Sequence, residues 1–397
     1  MFPLEGFTMA ALPRIVFGAG VLPRAAGEAA AFGQRVLLVT GDSSLTRGGQ
    51  WPLLQQAMTE HGLHWEQVRV AGEPSPELVD AAVSRFGGAG IECVLAVGGG
   101  SVLDAGKAIA GLLRTGRTVM DHLEGVGPQL PYAGPAVPLV AVPTTAGTGS
   151  EATKNAVLSR HGREGFKKSF RDEKLVARVA VVDPECLVSA PRPLLAAHAM
   201  DAFTQLLEAY VSTRANPMTD TLALSGMRAF RDGFFAAWEG TAEAAAGRSR
   251  LAYASLLSGI CLAQTGLGVV HGLASPLGAY TTIAHGVVCG TLLAEATAIN
   301  IQAMQQREPA NPALKKYARI GALLVRRHLA LDEGLVTLVT TLREWVRRLE
   351  ISPLVPAGFD VADMDLVVAK SGGSSMKTNP LILTAAEVRE ILQRRLR

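Results

Sequence analysis

Short apolar runs alternate with amphipathic segments over the first half of the chain. RVLLVTGD (35–42), VLAVGGG (94–100), PLVAVPTT (138–145) and VAVVDPE (179–185) are each a brief apolar stretch ending in turn residues. That is the pattern of strands buried on both faces of a parallel sheet. Between them, ELVDAAVSRFGGAG has helical spacing, which predicts one face made of Leu78, Ala81, Ala82 and Phe86. Alternation of this kind predicts a parallel sheet covered by helices.

After Pro191 and Pro193 the texture changes. No further strand-like run ends in a glycine turn, and long helical segments follow at 194–213, 216–236, 242–264, 312–329 and 333–350. The division falls near residue 186. It predicts an α/β domain over 1–186 and an all-α domain over 187–397. SGGSSMKTNPLILTAAEVREILQRR reads as a polar loop followed by a short terminal helix.

No Asp, Glu, Lys or Arg occurs from Leu251 to Ala294. LAYASLLSGICLAQTGLGVV, inside that region, is long enough to cross a membrane. It carries Gln264, two serines, a threonine and three glycines, and it lacks an aromatic belt or flanking basic cluster. A core helix of the helical domain is the expectation, with no membrane partner.

Composition narrows the classes further. The chain is 48 % hydrophobic and 18 % charged, with a formal charge of +3 and bases scattered among acids. No basic stripe for nucleic acid results. The four cysteines, Cys93, Cys186, Cys261 and Cys289, form no CxxC pair, so reduced thiols in a cytoplasmic protein are expected. MFPLEGFTMAALP has no basic n-region before an apolar run, and no signal peptide is expected there.

Two loops carry candidate nucleotide chemistry. GGGSVLDAGKAIA (98–110) follows a strand and opens a helix, where Gly98, Gly99, Gly100 and Ser101 let backbone N–H groups approach a phosphate. Ser101 and Asp104 resemble a capping box. The stretch fits neither a P-loop, since Ser101 and Ala108 occupy two of its required positions, nor GxGxxG, which breaks at Leu103. A plain strand-to-helix turn is the competing reading. VPTTAGTGSE (142–151) also follows a strand and offers Thr144, Thr145 and Thr148 between glycines. Two such loops on one sheet predict a nucleotide in the crevice between them.

Candidate metal chemistry comes from the helical part. LLAAHAMDAFTQLLEAYVS (194–212) places Asp201 and Gln205 one turn apart on one helix face. His271 and His285 sit in the uncharged region. A carboxylate, an amide oxygen and two imidazoles make a reasonable set for Zn²⁺ or Fe²⁺. Two satisfied core histidines and an Asp201 paired with a base are the competing reading. His198, three residues before Asp201, is a candidate for orienting a ligand or transferring a proton.

Together LPRIVFGAG, GGGSVLDAGKAIA, PTTAGTGSE, MDAFTQLLEAYVS, VVHGLASPLGAYTTIAHG and a late NP-containing loop resemble the iron-containing (group III) alcohol dehydrogenases over nearly the whole chain. The resemblance implies an N-terminal Rossmann-like dinucleotide-binding domain, a helical C-terminal domain of the dehydroquinate-synthase-like kind, and a metal between them. It implies a cytoplasmic enzyme that forms a homodimer or higher homo-oligomer. NAD or NADP and a divalent Fe or Zn are the implied cofactors, and a small alcohol or aldehyde the substrate. The metal would act as a Lewis acid on the substrate oxygen while hydride moves between substrate carbon and nicotinamide.

By the resemblance, the metal ligands fall on Asp201, His271 and His285, and Gln205 stands where the family usually has a histidine. Ser275 stands where many members have a further histidine near the nicotinamide, leaving Ser275 with water, His198 or the cofactor ribose as proton route. Gly98, Gly99, Gly100 and Ser101 would hold the pyrophosphate with Asp104 nearby. Thr144, Thr145 and Thr148 would line the nicotinamide side, and Lys167 matches a cofactor-binding lysine. Gly41, followed by Asp42, takes the place of an Asp that in NAD-preferring relatives binds the ribose, which permits NADP(H). Two relatives by fold give alternatives: a maleylacetate-reductase-like oxo-acid reductase with little metal dependence, and a dehydroquinate-synthase-type lyase that returns its cofactor unchanged. A non-catalytic nucleotide-binding module is a third.

Overall fold

The computed structural model describes residues 6–42, 44–162 and 165–397; the first five residues of the stretch expected to carry no signal peptide lie outside them. β1 (Arg14–Phe17), β2 (Arg35–Gly41), β3 (His64–Val70), β4 (Cys93–Gly98), β5 (Leu139–Pro143) and β8 (Val179–Val182) form one sheet, and β6 (Asn155–Arg160) and β7 (Phe166–Arg171) form a separate antiparallel hairpin. The sheet order is β1-β8-β5-β4-β2-β3, with parallel pairing throughout. The four expected strands are all present. β1, β3 and the hairpin were not expected. β1 and β3 lie at the sheet edges; polar residues interrupt the apolar run of β3, and β1 is only four residues long.

Helices α1 (Arg24–Ala30), α2 (Ser44–Arg47), α3 (Trp51–Glu60), α4 (Pro76–Phe86) and α5 (Gly100–Leu112) accompany the sheet. Alternate residues of β2 divide between its two faces. Leu37 and Val39 pack with Val79 of α4 and Ile109 of α5, while Val36 and Leu38 pack with Ala25 of α1 and Leu54 of α3. Helix α4 begins at Ser75, whose hydroxyl accepts from Leu78 N. Its buried face is Val79, Ala82 and Phe86; Ala81 is exposed, which corrects the expected face by one position.

The remainder is helical: α6 (Arg192–Val211), α7 (Pro217–Glu239), α8 (Ala244–Thr265), α9 (Val269–Tyr280), α10 (His285–Arg307), α11 (Pro312–Val325), α12 (Leu331–Arg348), α13 (Leu354–Ala357), α14 (Met364–Lys370) and α15 (Ala385–Gln393). Helix α6 is the centre, buried without interruption from Ala199 to Val211. On one side Phe203 meets Phe230 and Trp345 at ring-centroid distances of 4.9 and 5.1 Å. Polar groups on such a helix need partners, since an unpaired buried one costs roughly 1–3 kcal/mol.

The apolar stretch tested as a membrane span is not one helix. Helix α8 ends at Thr265, Gly266 turns the chain with φ +67°, and α9 leaves at 98°. Helix α10 is long and apolar enough to cross a membrane, but 83 % of its most apolar window is buried inside the protein. The loop after β5 reaches α8 backbone to backbone. A Cβ on Gly259 would lie 2.0 Å from the Gly149 carbonyl oxygen.

Candidate active site

Helices α6, α9 and α10 aim four side chains at one point. Asp201 of α6, His271 of α9, and His285 and Cys289 of α10 each bring a donor atom, all within 4.8 Å of one another. Asp201 Oδ1 lies 3.2 Å from His271 Nε2 and 3.7 Å from His285 Nε2. Cys289 Sγ lies 3.6 and 3.7 Å from the same two nitrogens. Oxygen, nitrogen and sulfur donors so placed suit a divalent cation. Burial disfavours the Asp201 charge, yet His285 and His271 hold its carboxyl below the usual range. Burial likewise opposes charge on His271, but Cys289, Asp201 and Glu208 raise it well above an ordinary imidazole, whereas burial lowers His285 to about 4.

A second carboxylate fixes how His271 points. Glu208 lies two turns beyond Asp201 on α6; its Oε2 is 2.7 Å from His271 Nδ1, and its Oε1 accepts from Val270 N at 2.7 Å. Asn379 Oδ1 accepts from Val269 N at 3.1 Å. The first turn of α9 is thus clamped through backbone N–H groups that no helical carbonyl can satisfy. Gly268 permits this approach, since a Cβ there would meet Asn379 Oδ1 at 2.8 Å and Glu208 Oε1 at 2.9 Å. The Glu208 contact holds the Nδ1–H tautomer and turns Nε2 toward the donor cluster. Sequence reasoning missed Glu208, although its i,i+7 spacing from Asp201 marks the same helix face. Glu208→Gln keeps one oxygen for two donors and is expected to weaken metal binding about 10- to 100-fold, read by competition with a chelator.

The nucleotide end lies at the sheet. Strand order reverses between β2 and β4, and Gly41–Asp42 and Gly98–Gly100 occupy the carboxyl ends of those two strands. This is where open α/β sheets bind ligands. Gly100 faces the second loop so closely that a Cβ would meet Thr148 Oγ1 at 2.6 Å, and one on Gly99 would meet Thr145 Oγ1 at 3.3 Å. Thr144 Oγ1 is buried with no hydrogen-bond partner among the described residues. A cavity of about 810 Å³ joins the two ends, lined among others by Gly100, Ser101, Gln205, His271, Ser275 and His285.

The capping-box reading of Ser101 and Asp104 does not hold. Helix α5 is capped at Gly99 without a side-chain bond. Asp104 instead accepts from Ser150 Oγ at 2.5 Å and pairs with Lys107 Nζ at 3.1 Å. Lys107 is buried and donates to Ser150 O, Thr153 Oγ1 and Asn155 O, which ties the glycine-loop helix to the second loop. Neutral-versus-charged balance there is close: burial pushes neighbouring Glu151 up to about 7.

Of the other expected residues, Lys167, Ser275 and Gln205 line the same cavity, whereas His198 and Asp42 do not. Lys167 of β7 lines the cavity and pairs with Glu73, which itself accepts from Ser159 Oγ. Ser275 Oγ donates to Lys167 O at 3.2 Å. Gln205 Oε1 accepts from Ser258 Oγ at 2.9 Å. His198 is packed against Gly147, its Nδ1 buried without a partner among the described residues, and it is not part of the cavity wall. Asp42 is exposed.

Known proteins resemble both halves of the chain. Residues 13–184 match the family described as iron-containing alcohol dehydrogenase, and residues 195–396 match the C-terminal region of the Fe-containing alcohol dehydrogenase family. Alcohol dehydrogenase 4 of Schizosaccharomyces pombe is 30 % identical over 95 % of this chain and 86 % of its own length. The NAD-dependent methanol dehydrogenase of Bacillus methanolicus is 28 % identical over 96 % and 97 %. The crystal structure of a 1,3-propanediol oxidoreductase superposes with a TM-score of 0.88 at 26 % identity, covering 98 % of this chain and all of that one, 100 %. An iron-containing alcohol dehydrogenase of Thermotoga maritima gives 0.83 at 25 % identity over 98 % and 99 %. The chain belongs to the iron-containing alcohol dehydrogenase family, and it is an NAD(P)- and metal-dependent oxidoreductase acting on CH–OH groups.

Proposed function

We propose that this chain interconverts a small alcohol and its aldehyde, with residues 1–186 as the dinucleotide-binding domain and 187–397 as the metal and substrate domain. The observation that carries the reading is the single cavity joining the glycine loop to the Asp201–His271–His285 cluster. Bound there, a divalent cation supplies Lewis acidity toward the substrate oxygen and a nicotinamide dinucleotide exchanges the hydride. The chain's own residues do the rest. Gly98, Gly99, Gly100 and Ser101 receive the diphosphate at the start of α5, where Gly100, Ser101 and, from the facing loop, Thr148 line the cavity, with Thr144 and Thr145 assigned to the nicotinamide side. Ser275 donates its hydroxyl hydrogen bond to the Lys167 carbonyl, so its oxygen is left to accept from a donor in the cavity. The stretch from Leu251 to Ala294, which runs through α8, α9 and the start of α10 without Asp, Glu, Lys or Arg, excludes water.

Gly41 leaves the end of β2 without a carboxylate, and Asp42 beside it is exposed, which supports use of NADPH as well as NADH. A homodimer is supported by β1, an edge strand with Ile15 and Phe17 exposed along it. A cytoplasmic location is supported by four buried free cysteines. Metal-loaded protein tested on a panel of small aldehydes should oxidise NADH or NADPH with net turnover. Failure to turn over either cofactor with any aldehyde would overturn the reading.

A further inference from the structure

The donor cluster contains one atom that the family pattern does not supply. Cys93 Sγ and Cys261 Sγ each face a backbone carbonyl, of Val94 and Thr219 respectively, as buried core thiols do. Cys289 Sγ instead faces two imidazole nitrogens. Its place follows from helix geometry: it lies one turn beyond His285 on α10, so both side chains project from the same face. Meanwhile Gln205 is a neutral, weak donor, and its amide oxygen is engaged by Ser258 of α8.

The distances themselves describe a coordination polyhedron. A tetrahedral site with bonds of the usual Zn–N, Zn–O and Zn–S lengths has donor–donor edges of about 3.3–3.6 Å. The four edges joining Asp201 Oδ1 and Cys289 Sγ to the two histidine nitrogens are 3.2, 3.7, 3.6 and 3.7 Å. We propose that Cys289 Sγ is the fourth protein ligand of the metal and that Gln205 has ceded that role, leaving its side of the site to face the cavity. The inference rests on Asp201, His271 and His285 being the other three ligands. Binding forms one sulfur–metal bond and releases the thiol proton to solvent. A thiolate in place of an imidazole shifts the donor set toward Zn²⁺ and away from Fe²⁺.

Titration of the metal-free full-length protein with Co²⁺, without oxygen, tests this directly. The expected result is a strong thiolate-to-cobalt charge-transfer band in the near ultraviolet. The band should persist in Gln205→Ala and vanish in Cys289→Ser, with Co²⁺ affinity in the latter reduced roughly 100-fold or more, beyond what loss of an orienting contact costs. Visible cobalt absorption that His271→Ala abolishes, but without the thiolate band, would overturn the role of Cys289 and leave the three-ligand site standing. Absence of Co²⁺ binding altogether would overturn both. Should Cys289→Ser not fold, the band in the unsubstituted protein and in Gln205→Ala still decides.

Discussion

Replacing His271 by Ala is expected to remove metal and activity together. The ring bridges two carboxylates: Nε2 faces Asp201 and Nδ1 faces Glu208. Lewis-acid stabilisation is worth several kcal/mol, so a loss of about 4 kcal/mol corresponds to a fall in kcat/KM of roughly 10³-fold. Binding of the dinucleotide depends on loops elsewhere and should change little. Metal analysis alongside NAD(P)H titration separates the two. A variant that keeps its metal and its turnover would remove His271 from the ligand set. Some loss of stability is expected as well, because Glu208 Oε2 is left buried without its partner, at about 1–3 kcal/mol.

Gly259→Ala is expected to be the most damaging change for the fold. The added methyl would lie 2.0 Å from Gly149 O and 2.7 Å from Gly149 Cα, both backbone atoms that no rotamer change can move. Gly149 is itself held at φ +59° and a Cβ there would meet Gly259 N at 2.4 Å, so the strain cannot be relieved by the loop. Overpacking of a well-filled interior typically costs about 1–3 kcal/mol, and a backbone clash of this depth should exceed that range. Against a typical total of roughly 5–15 kcal/mol, this is a large part of the protein's margin. Gly240→Ala makes the contrast. It also has positive φ, at +73°, but nothing lies within 4 Å, so only the left-handed backbone cost of about 1–2 kcal/mol applies. Urea unfolding of the two variants should separate them clearly; equal midpoints would refute the packing account.

What the sequence disclosed follows from how local each signal is. β2, β4, β5 and β8 announce themselves because both faces are covered, which leaves an unbroken apolar run. β3 escapes because an edge strand keeps polar positions, and β1 because its apolar run, Ile15–Phe17, is too short to stand out. Helices α9 and α10 were not delimited in advance: a segment apolar all round has no phase, and the bend at Gly266 depends on where α9 must dock. At the site, Asp201, His271 and His285 stand out because polar side chains are rare in their surroundings. Cys289 passes for one more apolar residue, and Glu208 for a surface acid, until the burial of α6 and α10 is known. The Asn379 clamp joins residues 110 positions apart, which no local pattern encodes.

The one-turn interval on α6 and α10 has a consequence for how such a site can change over time. Asp201 on α6 and His285 and Cys289 on α10 bring donor atoms within 4.8 Å of one another, while Gln205, one turn beyond Asp201, lines the cavity. With Cys289 as the proposed fourth ligand, the last donor comes from α10 and position 205 is released from coordination. Substitution at 205 can then reshape the cavity while the ligand set and the clamp on His271 stay intact. Metal preference and cavity shape are then set at different positions.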